Sequence, residues 1–168
     1  MNPSSPQRPA VADVPRSVLI SAGGALVLLI SVFFHWYSAT VSISGGASQV
    51  LGSLSQSASI SGWDATDVAK LVFLLGLIGL AAWVVELFVA DINLPVPAWM
   101  IAGGAGALSA LLVLYRIVSK PHGAHSFSLT LPNGQLNADV STSFGIWLSL
   151  IAALAMVAGA YLRMNEAA

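Results

Sequence analysis

The few ionisable side chains of this sequence are the first candidates for chemistry. Glu86 stands inside a long apolar run, where a carboxylate is costly and is usually functional or paired with a cation. Two interpretations are open: an ion pair with Arg16 or Arg163, and a proton or cation relay. We expect the ion pair and keep the relay as the alternative.

A second group of charges flanks two apolar runs. Asp64 and Asp67 precede the run that starts near residue 69, Lys70 lies in its first turn, and Arg116 lies near the end of a later run. Acidic side chains suit a helix N-terminus, where backbone N–H groups lack partners. We expect Arg116 to pair with Asp64 or Asp67 in a network that clamps the loops to the helices.

Histidines give a weaker case, for a metal site. His122-Gly-Ala-His125 lies in a loop, and His35 is the one further candidate ligand. No helix fixes the ring directions and no acidic partner stands nearby, so we expect neither a metal nor another cofactor.

Motifs of the common enzyme classes are missing from the sequence. It has no cysteine, which excludes disulfides, thiol nucleophiles and CxxC redox chemistry. A GxSxG elbow, a P-loop and an HExxH motif are also missing. A net charge of −1 offers no basic surface to nucleic acid. We therefore expect a non-enzymatic protein with no nucleic-acid partner.

Composition indicates which elements must position these residues. Of the 168 residues, 57% are hydrophobic and 8% are charged, whereas soluble domains carry about 25% charged residues. The mean hydropathy is +0.84. Four apolar stretches, at about 17–36, 69–90, 97–118 and 144–163, reach the roughly 20 residues needed to cross a bilayer. The predicted fold is a membrane all-α protein, a left-handed four-helix transmembrane bundle. We expect this bundle to be embedded in the lipid bilayer.

The remaining sequence divides into a tail and two long loops. Residues 1–16 are proline-rich and predict a disordered tail, and no cleavable signal peptide is expected. Residues 17–166 are predicted to form a single four-transmembrane domain. Four crossings place the loops 37–68 and 119–143 on the same side, opposite both termini.

Both long loops carry the period-two pattern of β-strands. In residues 39–44 apolar side chains alternate with Thr and Ser, and in 54–61 serine takes every odd position. Residues 127–140 read FSLTLPNGQLNADV, with apolar side chains again at alternate positions.

A turn signal joins the last two predicted strands. Pro132-Asn133-Gly134 fits a type I turn that closes in a G1 bulge. Because an isolated hairpin is marginal, we expect the two loops to combine into one antiparallel sheet of three to five strands over the helix ends. Two flexible loops are the alternative.

Aromatic residues mark the two expected membrane surfaces. They are Trp36, Tyr37, Trp63 and Trp147 on the loop side and Trp99 on the other side. Trp and Tyr concentrate at headgroup depth, so we interpret these residues as interface belts. Lys and Arg are balanced across the two sides. The N-terminal charges favour cytoplasmic termini and extracytoplasmic loops.

Small residues recur at fourfold spacing in two predicted helices. They are Ala102, Gly103, Gly106 and Ala110 in the third helix and Gly159 in the fourth. Such spacing lets helix backbones approach closely in lipid, so we expect these residues to hold the bundle together. A homodimer interface is the alternative.

Several motifs carry a family resemblance by their order and spacing. They are HWYS, GWDATD, LPVPA, LLVLYRIV followed by KPHG, and FGIWLSLIAALAMVAGAYLRMNE. In these motifs the chain resembles uncharacterised small four-span membrane proteins of high-GC Gram-positive bacteria. The resemblance covers nearly all of residues 18–166. The resemblance implies a bacterial plasma membrane. The layout is also similar to that of claudins, without the claudin cysteine pair.

These patterns lead to a functional expectation with alternatives. We expect a tetraspan accessory, scaffolding or interaction subunit whose extracytoplasmic cap binds another membrane or envelope component; a membrane-protein partner and a homo-oligomer both fit. The main alternative is a small transporter or channel with Glu86 as its coupling group. An enzyme acting on lipid or envelope substrates has only the loop-side Asp, Arg and His residues in its favour.

Overall fold

The computed structural model describes residues 14–44, 55–89, 95–119, 127–131 and 134–166. Its helices are α1 (Arg16–Ser31), α2 (Gly62–Ala65), α3 (Asp67–Phe88), α4 (Ala98–Val118) and α5 (Phe144–Glu166). Its strands are β1 (His35–Ser44), β2 (Ser55–Ser61), β3 (Phe127–Leu131) and β4 (Gly134–Thr142). The predicted mixture of apolar helices with a small sheet is confirmed.

Three helices are long and apolar enough to cross a membrane. They are α3, α4 and α5, with 22, 21 and 23 residues. The helix α1 is also apolar, but its 16 residues make it shorter. At 1.5 Å per residue, α1 alone is about 24 Å long.

The first helix ends earlier than predicted. The backbone N–H groups of Phe33 and Phe34 donate to the carbonyl oxygens of Ile30 and Ser31, at 3.1 and 3.2 Å, which closes the helix in tight turns. The predicted range 17–36 is therefore wrong at its end, because His35 already starts β1. Arg16, assigned to the tail, is the first residue of α1, and the other tail residues up to 13 lie outside the described residues.

The four long helices form one bundle. The helix α1 packs against α3 and α5, and α4 packs against the same two helices from the other side. One core cluster lies in the half nearer the sheet and includes Leu28, Val113 and Ile146. A second cluster, in the half nearer the chain termini, includes Val18 and Trp83. We call these halves the sheet end and the terminal end.

The small residues of α4 and α5 lie at contacts inside this bundle. A Cβ atom on Gly159 would lie 2.5 Å from the backbone nitrogen of Ser21 and 2.7 Å from the carbonyl oxygen of Ser17 in α1. One on Gly106 would lie 2.8 Å from Met156 Cβ, and one on Gly103 would lie 2.9 Å from Ala160 Cβ, both in α5. Ala102 and Ala110 are buried. The chain therefore uses these residues for its own close helix packing.

Both long loops contribute to a single four-stranded antiparallel sheet. The strand order is β2-β1-β4-β3, so a strand of each loop lies at the centre. Ala39 of β1 pairs with Ala58 of β2 on one side and with Val140 of β4 on the other. The predicted sheet of three to five strands is confirmed. Pro132 and Asn133, the corners of the predicted turn, lie outside the described residues.

The register separates a hydroxyl-rich face of the sheet from an apolar one. Directly opposed residues share a face, as do Ser38 and Ser141, whose hydroxyl oxygens lie 3.0 Å apart. On the apolar face Tyr37, at the base of β1, is buried against the bundle. Leu129 and Ile60 on that face are 54% and 43% exposed. The apolar face is therefore buried at Tyr37, and it leaves apolar surface exposed at Ile60, directly opposite Tyr37, and at Leu129 on the outer strand β3.

Candidate functional site

The junction between the sheet and the bundle begins with two helix caps. Ser61 Oγ accepts a hydrogen bond from the backbone N–H of Asp64 at 3.3 Å and donates to Asp64 Oδ2 at 2.6 Å, which caps α2. Thr66 Oγ1 accepts from the backbone N–H of Val68 at 3.0 Å, which caps α3. Ser and Thr satisfy helix N-termini in this way, so SGWDATD encodes two successive helix starts.

Arg116 connects this junction to the end of α4. Its Nε and Nη2 atoms both donate to Thr66 Oγ1, at 3.1 and 2.7 Å. The hydroxyl of Tyr37 donates to the carbonyl oxygen of Arg116 at 3.2 Å. Burial raises the pKa of this hydroxyl, and the nearby Arg116 charge lowers it to a smaller extent. A clamp thus joins β1, α3 and α4.

The partner of Arg116 differs from the expected one. The prediction named Asp64 or Asp67, and the structure places Thr66 there instead. Asp64 is engaged by Ser61, and Asp67 Oδ1 lies 2.9 Å from Lys70 Nζ with a side chain that is 95% exposed. The sequence TDV at the start of an apolar run signals that Thr66 caps a helix. A cap signal predicts a hydrogen bond to the helix backbone, and it does not predict that the same hydroxyl also accepts from Arg116, so this contact was missed.

Trp36 and Tyr37 are packing residues of the junction. Both side chains are buried, with 0% and 3% exposure, so they face the protein interior, and their assignment to a membrane interface stays a prediction. Trp36 Nε1 donates to the carbonyl oxygen of Ser31 at 3.1 Å. Its ring lies so close to Gly62 that a Cβ atom there would be 2.5 Å from the indole. The early end of α1 turns these side chains inward.

The other belt candidates lie nearer the surface. Trp63 and Trp147 are exposed, and Trp99 packs against the core of the terminal end. Trp63 stacks on Phe33 and meets Phe73 edge-on, with ring centroids 5.5 Å apart in both pairs. Their assignment to a membrane interface stays a prediction.

A second charged cluster lies at the terminal end. Arg163 Nη2 lies 3.5 Å from Glu86 Oε1, and Arg163 Nη1 lies 3.6 Å from Glu166 Oε2. Ser17 Oγ donates to the same Glu166 oxygen at 2.6 Å. Glu86 thus faces Arg163, one of its two expected partners, and the cluster links α1, α3 and α5.

Histidine chemistry receives no support from the described part of the chain. His122 and His125 lie outside the described residues. Within them, no group of three or more His, Asp or Glu side chains is arranged to hold a metal ion. His35 lies in β1, where its carbonyl oxygen would be 2.7 Å from a Cβ atom on Gly145.

Buried serines form a set of contacts that was not predicted. Ser21 Oγ accepts from Trp83 Nε1 at 2.9 Å and donates to the carbonyl oxygen of Met156 at 3.2 Å. The hydroxyl oxygens of Ser31 and Ser149 lie 2.7 Å apart. Ser109 Oγ is buried with no hydrogen-bond partner among the described residues. The sequence signal that could have predicted these contacts is the presence of isolated serines within apolar runs.

Comparison with protein-family models and with curated proteins found no match for this chain.

Proposed function

We propose that this chain is a non-enzymatic four-span membrane protein of the plasma membrane, with α1 as the fourth span. Its termini are cytoplasmic and its sheet is extracytoplasmic. It acts as an accessory or scaffolding subunit that binds another membrane or envelope component through the sheet.

The outer surface of the bundle supports membrane insertion. Exposed large apolar side chains occur on every long helix, for example Leu26, Leu74, Leu111 and Ile151. A lipid-facing surface requires exposed apolar side chains on all four long helices, whereas soluble monomers rarely expose large contiguous apolar patches. With the turn that continues to Phe34, the segment that starts at Arg16 is about 28 Å long, close to the thickness of a hydrocarbon core.

The bundle interior favours a structural role over transport. A Cβ atom on Gly24 would lie 2.9 Å from the carbonyl oxygen of Ala152, and Gly159 and Gly106 make similar close contacts. Among the described residues, the buried polar side chains that are not aromatic are Ser and Thr. Glu86 faces Arg163 near the end of α3. Transport sites are usually built from polar groups or broken helices near the bilayer midplane.

The exposed part of the sheet is the observation that carries the binding role. Leu129 and Ile60 are about half exposed on a face whose base is packed against the bundle. The outer strands β2 and β3 read SQSASIS and FSLTL, without a charge or a proline. Charged side chains and prolines normally protect the edges of a sheet from pairing with another strand. A surface of this kind suits a protein partner that covers apolar side chains or pairs with a strand.

Photo-crosslinking in the native membrane tests this role. We expect p-benzoylphenylalanine at Leu129 to give a discrete adduct with one partner, because that side chain lies on the exposed sheet face. The same group at Leu111 is the control, since this exposed side chain of α4 lies on the proposed lipid-facing surface. A second probe position is Ile60, on the same face of the sheet. Equal adduct patterns at Leu129 and Leu111, or no adduct at either Leu129 or Ile60, would contradict the binding role.

A further inference from the structure

We propose that Arg116 and Thr66 form a binding site for a phosphate group, supplied by the headgroup of an anionic phospholipid or by free phosphate. This inference rests on the proposed function and names one envelope component that the sheet end recognises. The site lies at the junction of α3, α4 and β1.

Arg116 has more donors than the described residues satisfy. A guanidinium carries five N–H donors in a planar fork. Two of its nitrogens, Nε and Nη2, donate to a single neutral oxygen, Thr66 Oγ1. No ion pair of Arg116 with a carboxylate occurs among the described residues, where the ion pairs involve Lys70 and Arg163. Within the part of the chain that the structure describes, no acceptor is bonded to Nη1, so its donors suit an external acceptor.

Thr66 has a donor in the same position. Its oxygen accepts from Arg116 Nε, Arg116 Nη2 and the backbone N–H of Val68, which takes up its lone pairs. The residue is only 7% exposed, and its own hydroxyl hydrogen has no acceptor in the described part of the chain. A buried donor without an acceptor is costly. One anionic oxygen beside Thr66 would accept from this hydroxyl and from the guanidinium.

None of the acidic residues that the structure describes forms an ion pair with Arg116; these are Asp64, Asp67, Glu86, Asp139 and Glu166. The other two of the chain's seven, Asp13 and Asp91, lie outside the described residues. Asp67 lies within electrostatic range of Arg116, but it bonds to Lys70 and points into solvent. Asp64 bonds to Ser61. The two carboxylates and the two cations of the junction sum to zero charge, so an anion would be held by the local hydrogen-bond donors of Arg116 and Thr66 and not by a net positive charge.

The chemistry of the missing acceptor fits a phosphate. Arginine binds phosphate oxygens in a bidentate manner, and the N-terminal end of α3 adds a partial positive charge. The site also adjoins exposed apolar side chains at the same end of α4, Tyr115 and Val118. In a four-span protein this is headgroup depth. An acyl chain has apolar surface to lie against there, which makes phospholipid the better-fitting source.

A lipid titration of the purified full chain tests the site. Thermal stability in a zwitterionic detergent is measured against added phosphatidylglycerol, phosphatidylcholine and inorganic phosphate, and native mass spectrometry counts the bound lipid. We expect phosphatidylglycerol to raise the Tm and phosphatidylcholine to leave it unchanged. Arg116→Gln should weaken the response about tenfold or more, since it removes charge-assisted hydrogen bonds. A response to inorganic phosphate that equals the lipid response identifies free phosphate as the source.

Two further variants keep the test decisive. Arg116→Lys retains the charge but lacks the planar fork, so its phosphatidylglycerol midpoint should also shift. Arg163→Gln removes an arginine at the other end of the bundle and should respond as the wild type does. No Tm increase with any phosphate probe, or equal responses of wild type and Arg116→Lys, would overturn the site. That result leaves the Leu129 crosslink unaffected, so the two proposals fail separately.

Discussion

Arg163 and Arg116 lie at opposite ends of the bundle, and their contacts differ in charge. At the terminal end, Arg163 lies between Glu86 and Glu166, and Ser17 donates to Glu166. At the sheet end, Arg116 donates to the neutral hydroxyl of Thr66. The charge of Arg163 is compensated within the chain. That of Arg116 has no carboxylate partner among the described residues, and we propose that an external phosphate compensates it.

The two ends also differ in how they are packed. At the terminal end, Gly159 lets the backbones of α1 and α5 approach closely beside Ser17 and Ser21. At the sheet end, the large ring of Trp36 lies against Gly62 instead. Both ends nevertheless combine a close backbone contact with an inserted tryptophan ring, since Trp83 is buried at the terminal end and a Cβ atom on Gly145 would lie 2.7 Å from the carbonyl oxygen of His35 at the sheet end.

Removal of the inserted ring should have the largest effect. Trp36→Ala leaves a cavity at the base of the sheet and should lower the free energy of unfolding by about 3–5 kcal/mol. Trp147→Ala is the matched control, because that ring is exposed and its loss should cost far less. Thermal unfolding in detergent measures both. Equal destabilisation would show that Trp36 does not hold the junction.

Filling the close contact at the terminal end should have the next largest effect. In Gly159→Ala the new methyl group meets backbone atoms of α1 at under 3 Å, so the helices must separate, at about 1–3 kcal/mol. Gly104→Ala is the control, since nothing lies within 4 Å of a Cβ atom there. If the Gly159→Ala protein is as stable as the Gly104→Ala protein, close backbone packing at Gly159 does not stabilise the terminal end.

The charge compensation of Arg163 is open to a double-mutant cycle. Arg163→Gln should destabilise the chain, and Glu86→Gln should restore part of the loss. Both side chains are about a third exposed, so we expect a coupling energy under about 1 kcal/mol. Independent effects of the two substitutions would mean that the ion pair does not contribute.

The hydroxyl of Tyr37 should have the smallest effect, and one that depends on pH. Tyr37→Phe removes the hydrogen bond to Arg116, which is worth about 1 kcal/mol. Its pKa is raised on folding, so its stabilising effect is complete below the ordinary value of 10.0 and is lost as the pH rises through the folded value. The wild type should therefore lose stability faster than Tyr37→Phe above that pH. Parallel pH profiles would contradict this.

Patterned segments were predictable from sequence, and the contacts at their ends were not. Alternation in residues 39–44 and 127–131 indicated strands because the period of a strand is fixed by its backbone. The end of α1 was misplaced because Phe33 and Phe34 are as apolar as a helix interior, and only tertiary packing turns the chain there. The Arg116–Thr66 contact was missed for a related reason: opposite charge suggested Asp64 and Asp67, but local caps had already engaged the first and Lys70 the second.

Cysteine labelling of the two ends tests the central claim most directly. The chain has no cysteine of its own, so single substitutions report one position each. Ser57→Cys lies on the exposed strand β2, and Asn165→Cys lies at the end of α5. A membrane-impermeant maleimide should label Ser57→Cys in intact cells and label Asn165→Cys only after permeabilisation. Labelling of Asn165→Cys in intact cells would contradict four spans with an extracytoplasmic sheet.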